Sequence, residues 1–138
     1  MDIRQAIKTK RLYFDGGMGT LLQKSGLNPG EKPENWNITH SDVITNIHLE
    51  YLRAGTNILT TNSFGANSLK FDNLEEIIPA AINNAKKAIE LLGGKIEKIE
   101  EISLSEDMTR TFVVIKKIKN TPPKYPRQGA KISKNPIV

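Results

Sequence analysis

The sequence predicts an α/β fold in which two parallel strands and an antiparallel hairpin share one small mixed sheet with helices packed on it. Three observations carry that reading. Over the first two thirds, short apolar runs that end in Gly- or Asn-containing turns alternate with amphipathic helical stretches. Two β-branched runs then follow one another too closely for a parallel crossover. The charge also changes along the chain: residues 1–92 hold ten Lys/Arg and ten Asp/Glu, whereas residues 93–138 hold ten and five and so carry the whole net charge of +5.

Leu12-Tyr13-Phe14 reads as a strand stopped by the turn Asp15-Gly16-Gly17, with a short helix starting near Gly19. Residues 25–38, with Gly26, Pro29, Gly30 and Pro33, read as loop, pinned to the core by Trp36. Ser41 and Asp42 offer an N-cap and a first-turn acid; Ile44, Ile47, Tyr51 and Leu52 follow at helical spacing, and Gly55 stands where the helix should end. Ile58-Leu59-Thr60-Thr61 reads as the second strand. Leu74 to Leu92 reads as a helix with Ile78, Ala81, Ala85, Ala88, Ile89 and Leu92 on one face and Pro79 in its first turn or at a kink. Strand, helix, strand, helix in this order implies parallel strands and right-handed crossovers. After Gly93-Gly94, residues 95–104 suit a bulged strand. Thr111-Phe112-Val113-Val114-Ile115 is a second strand, apolar on both faces and therefore expected to be central, antiparallel to the first. Residues 1–120 are thus read as one domain and residues 121–138 as a basic, Pro-containing tail.

At 138 residues, with 38% hydrophobic side chains, the chain supports a modest core. It has no cysteine, which excludes disulfides and thiolate metal sites. Met1-Asp2-Ile3-Arg4 leads into no apolar run, and no stretch reaches the roughly 18 apolar residues of a membrane span. A cytoplasmic protein with no membrane partner is expected.

Four constellations deserve a chemical reading. Asp15-Gly16-Gly17-Met18-Gly19-Thr20 is either an N–H-rich cradle for a carboxylate or phosphate or a plain tight turn; Leu22 stands where a dinucleotide fingerprint needs its third Gly. Thr60 to Asn67 gathers polar side chains at the carboxyl end of the second strand, where α/β folds bind ligands, and shares a rim with Asp15. Asn62 and Asn67 there are equally readable as loop-capping amides. His40 and His48 are too far apart along one helix, about 12 Å, to share a metal. His48 is expected to be a surface or half-buried residue, and no metal site is assigned. The basic tail, with Lys124, Tyr125 and Arg127, either tracks a phosphate backbone or only solubilises.

Phe14-Asp15-Gly16-Gly17-Met18-Gly19-Thr20, Pro33-Glu34-Asn35-Trp36-Asn37-Ile38-Thr39-His40 and Thr61-Asn62-Ser63-Phe64-Gly65-Ala66-Asn67, in this order, resemble the start of the homocysteine S-methyltransferase domain, as at the N-terminus of cobalamin-dependent methionine synthases. The resemblance covers residues 1 to about 85 and implies the first two βα units of a TIM-type barrel. It also implies a residual homocysteine site at Asp15, Gly16, Gly17, Asn62 and Phe64. That family activates homocysteine on zinc held by cysteines from later strands, which this chain lacks.

Ala85 to Glu97, Val113 to Pro122 and Lys124-Tyr125-Pro126-Arg127 resemble instead the end of small-subunit rRNA guanine-N7 methyltransferases, the glucose-inhibited division B family. This implies a Rossmann-like terminal helix and hairpin over residues 86–120. The Gly-rich loop that binds S-adenosylmethionine in that family is missing. After Arg127, Gly129-Ala130-Lys131-Ile132 departs from the usual tail. The two resemblances imply a natural or engineered chimera that is catalytically silent, with no catalytic residue and with neither zinc, cobalamin nor S-adenosylmethionine retained. Three further expectations are open: weak homocysteine binding, or methyl transfer completed by a partner that supplies cysteines; weak RNA binding through the tail; and a homodimer through open sheet edges.

Overall fold

The computed structural model describes residues 7–105, 108–120 and 122. Its elements are α1 (Met18–Lys24), a 3-10 turn (Pro33–Asn35), α2 (Trp36–Thr39), α3 (Ser41–Arg53), α4 (Leu74–Leu91), β1 (Gly94–Ser105) and β2 (Met108–Lys117). The loop expected over residues 25–38 therefore ends in helix, and buried Trp36 begins α2 rather than hanging from a coil.

Helix α3 is the centre of the core. Ile44 and Ile47 pack with Leu22, Leu27 and Trp36, while Leu49 packs with Ala88 and Leu92 of the α4 region. One amphipathic helix thus serves two clusters. Ser41 is its first residue, not its cap; His40 holds the cap position and no side chain caps it. The Ser41 carbonyl is engaged instead by the Thr45 hydroxyl at 2.7 Å. The other end follows expectation. Gly55, at φ +98°, donates to the Leu52 carbonyl and Thr56 to that of Tyr51, a reciprocal pair that satisfies the last turn.

In α4 the expected face is buried at Ala81, Ala85, Ala88 and Ile89, and Leu92 is buried just beyond the helix. Ile77, rather than Ile78, is the residue fully buried near its start. Pro79 lies beyond the first turn, inside a continuous helix. It is exposed, as is Glu75, whose carbonyl loses its intrahelical donor to the proline.

The two early strands are reduced to one parallel bridge, Phe14 to Ile58. Side chains replace the rest of the ladder: the Tyr13 N–H donates to Asn57 Oδ1, and Asp15 grips Thr60. The hairpin forms as read, antiparallel, with a register break between Ile96 and Lys98 and another between Ser103 and Ser105. It is a two-stranded sheet, so β2 has one strand neighbour and is not central. Among the described residues the single mixed sheet is not built: the hairpin leans on α4 through Ile96 and Ile115 instead of pairing with Leu59 to Thr61. A shallow cleft, also lined by Ile82, Ala85, Lys86 and Ile89, separates them.

The joint between helix and hairpin requires glycine twice. Gly93 has φ +80°, and a Cβ there would lie 2.6 Å from the Lys119 carbonyl oxygen. A Cβ on Gly94 would lie 2.6 Å from Ile89 Cγ2 and 3.0 Å from Ile115 Cγ2. This close approach lets the Gly93 carbonyl accept from both Ile118 and Lys119 at 3.0 Å.

Candidate functional site

The structure brings the two polar clusters of the sequence onto one rim. Asp15 closes the first strand segment and half-buries its carboxylate. The Thr60 N–H donates to Asp15 Oδ2 and the Thr60 hydroxyl to Oδ1, both at 2.8 Å. One carboxylate thereby fixes the strand ends where ladder hydrogen bonds are few. Beside it, Tyr51 lies so close to the Gly turn that a Cβ on Gly16 would come 2.9 Å from its hydroxyl oxygen. The Tyr51 hydroxyl points to the Gly17 carbonyl at 3.4 Å. Across the rim the Thr61 and Ser63 hydroxyls share a hydrogen bond of 2.8 Å.

Asn62 is buried, and its amide donates to the Pro33 carbonyl at 2.8 Å. Its own carbonyl accepts from Asn37 Nδ2 at 2.7 Å, and the Asn37 carbonyl accepts from Asn84 Nδ2 at 2.9 Å. This chain of amides runs from the rim loop through α2 to α4. Glu34 adds a second clamp: its buried carboxylate accepts the Gly65 N–H at 2.8 Å. Asn67 stays within the loop, donating to the Gly65 carbonyl and accepting from the Leu69 N–H, both at 3.1 Å. Asn62 and Asn67 both serve as loop amides. Phe64, on this hydrogen-bonded loop, is 96% exposed, and Leu69 is 97% exposed.

Sequence reasoning missed Glu34, Asn37, Asn84 and His48. Spacing would have found two of them: Asn84 stands three residues after Ala81 and four before Ala88, and His48 four after Ile44, all on buried faces. His48 is fully buried, which corrects the expectation of a surface or half-buried residue, and neither ring nitrogen has a hydrogen-bond partner. Burial drives its pKa down to about 4, against a smaller upward pull from the Asp15 charge. His40 is exposed and stacks on Trp36 with ring centroids 4.0 Å apart.

Among the described residues no group of three His, Cys, Asp or Glu could hold a metal. None of the described helices is long and apolar enough to cross a membrane. Lys124, Tyr125 and Arg127 lie outside the described residues.

Comparison with known proteins finds both resemblances. The chain is 36% identical over 101 residues, 72% of its length, to the ribosomal RNA small subunit methyltransferase G of Clostridium tetani, of which it covers 37%. Against the Acetivibrio thermocellus protein of the same name it is 48% identical over 71 residues, 51% of this chain and 27% of that one. Against that of Bacillus subtilis it is 49% identical over 57 residues, 41% of this chain and 24% of that one. The chain thus spans between a quarter and little more than a third of these relatives. No solved structure matches it. The sequence profile of the homocysteine S-methyltransferase family matches residues 12–115, past the boundary near residue 85 read from motifs alone and into the hairpin. That match and the one to the Clostridium tetani protein together exceed the chain's length, so they overlap across its middle. With three quarters of its length under that profile, including the whole Asp15–Asn67 rim, the chain belongs to the homocysteine S-methyltransferase family.

Proposed function

We propose that this chain is a methyltransferase-family scaffold that keeps the amino-acid rim of the homocysteine S-methyltransferase fold without the means to activate a thiol. One contrast carries the reading. The rim is tied together by hydrogen bonds, with Asp15 locked to Thr60 and the Asn62–Gly65 loop clamped by Glu34 and Asn37. Yet the sequence has no cysteine to hold the family's zinc. The residues present do not fit that metal: the described part offers no cluster of ligands, and the buried His48 has no neighbouring donor set. Thiolate formation on zinc is what lets homocysteine attack a methyl donor, and no step here supplies it.

Homocysteine would bind weakly, its ammonium group against Asp15 and its carboxylate near the N–H groups of Gly16 and Gly17, with Phe64 and Asn62 at the edge. The similarity of the chain to two methyltransferase families supports a chimeric origin, with the seam inside α4, near residue 85, where either parent fold needs an amphipathic helix. Calorimetric titration with L-homocysteine tests the site, and methyl transfer from methylcobalamin or S-adenosylmethionine tests activity. Weak binding lost in Asp15→Asn, with no turnover, is expected. Turnover above background that disappears in Asp15→Asn would overturn the proposal.

The excess positive charge after Gly93 and the similarity to ribosomal RNA methyltransferases favour a second reading, weak RNA binding through Lys124, Tyr125 and Arg127. It predicts steep salt dependence, and the loss of affinity when the chain is truncated after Lys119.

A further inference from the structure

We infer that the outward face at the base of the hairpin is a phosphodiester-binding clip built on Lys95 and Lys116. These two residues stand directly opposite one another across the strands, next to the pair Ile96 and Ile115. Strand residues alternate between faces, and Ile96 and Ile115 turn inward to the cleft along α4. The lysine pair therefore points the other way, and both side chains are exposed. The register break after Ile96 pairs Lys98 with Val114, which returns exposed Lys98 to the same outward face.

Residues so opposed hold their Cβ atoms about 4.5–5.5 Å apart, and like charges in that position weaken the pairing. Neither Lys95 nor Lys116 forms an ion pair with a described residue. Glu97 sits in the register break, and both it and Lys98 have interactions of their own. The hairpin thus carries a local repulsion that its own described residues leave unrelieved. A bound anion relieves it, and an oxygen-rich phosphate can accept from both ammonium groups. Two ammonium groups bind phosphate oxygens and carry no reading of base edges, so recognition is of the backbone and not of the sequence. The clip is independent of the tail and of the amino-acid rim.

The test uses the full-length chain and fluorescence anisotropy with short labelled oligouridylate and oligodeoxythymidylate over a KCl series. The wild type should bind both with similar affinity. The double variant Lys95→Gln/Lys116→Gln should bind at least tenfold more weakly at low salt. The slope of its log affinity against log salt should fall by about 1.4, the value for two single-strand phosphate contacts. Lys116→Glu turns the repulsive pair into an attractive one, so it should melt no lower than wild type while losing binding, which separates the clip from a folding effect. An unchanged slope in the double variant overturns the inference, as does a strong preference for one sugar or no binding by wild type. Loss of binding only in Lys124→Gln/Arg127→Gln assigns the affinity to the tail and also overturns it.

Discussion

Acid should unfold this protein through one residue. His48 is fully buried on α3 with no partner for either ring nitrogen, and its pKa is lowered to about 4 by desolvation, with Asp15 pulling slightly the other way. In the unfolded chain the same imidazole titrates near 6.5. As pH falls, the unfolded state therefore takes up the proton first. Stability present above pH 6.5 is lost progressively down to about pH 4 and not further from this group. Linkage gives a loss of about 1.4 kcal/mol at pH 5.5 and about 3 kcal/mol at pH 4. Against a total of about 5–15 kcal/mol for a typical domain, that is a large share. Urea unfolding at pH 7.5, 5.5 and 4, followed by fluorescence of the single tryptophan, Trp36, and by far-UV dichroism, measures it. His48→Leu fills much of the same space without a titrating group, so its loss over the same pH span should be smaller by those amounts. If wild type and His48→Leu lose stability in parallel, the account of His48 is wrong. Coincident curves from the two probes would add that the rim, the helices and the hairpin unfold as one unit.

Three further outcomes follow from contacts on the rim and at the joint. Asp15→Ala removes both hydrogen bonds to Thr60 and should cost about 1–2 kcal/mol in urea titrations, since the carboxylate is half-buried. Glu34→Ala frees the Gly65 N–H, so native-state hydrogen exchange at Gly65 should accelerate about tenfold, while amides in the middle of α3 keep their rates. Gly93→Ala forces a left-handed residue against the Lys119 carbonyl; a loss of about 2 kcal/mol is expected, and a thermal melt unchanged from wild type would contradict it.

Much of this architecture was legible from the sequence where the force involved is periodic or local. The face of α4, the span of α3, the Gly55 terminus and the bulged hairpin all follow from spacing and turn chemistry. The early strands were legible in composition but not in extent, because Leu12 to Phe14 and Ile58 to Thr61 share only one bridge and rely on Asn57 and Asp15 for the rest. Whether a strand is central depends on the neighbours it finds, so the apolar run Thr111 to Ile115 could not disclose that β2 stops at two strands. On the rim, the Asp15 turn and the Thr60–Asn67 segment were found as separate motifs. Their hydrogen-bonded meeting was expected only as a shared edge. Glu34, Asn37 and Asn84 escaped because a buried polar group is recognised by its partner, and those partners are backbone atoms distant in sequence.

The amide chain that ends at Asn84 divides α4 into two kinds of obligation. Up to Asn84 the helix must present a specific donor to a specific carbonyl, so its register relative to the rim cannot slip. Beyond it, Ala85, Ala88, Ile89 and Leu92 contribute only apolar burial, which has no direction and accepts many shapes of cover. A lineage could therefore exchange everything after that point, helix end and hairpin together, and still inherit an undisturbed rim, provided the newcomer kept its own helix–hairpin joint as free of side chains as Gly93 and Gly94 keep this one. The same division suits a laboratory: Asn84 marks where the rim ends and interchangeable packaging begins.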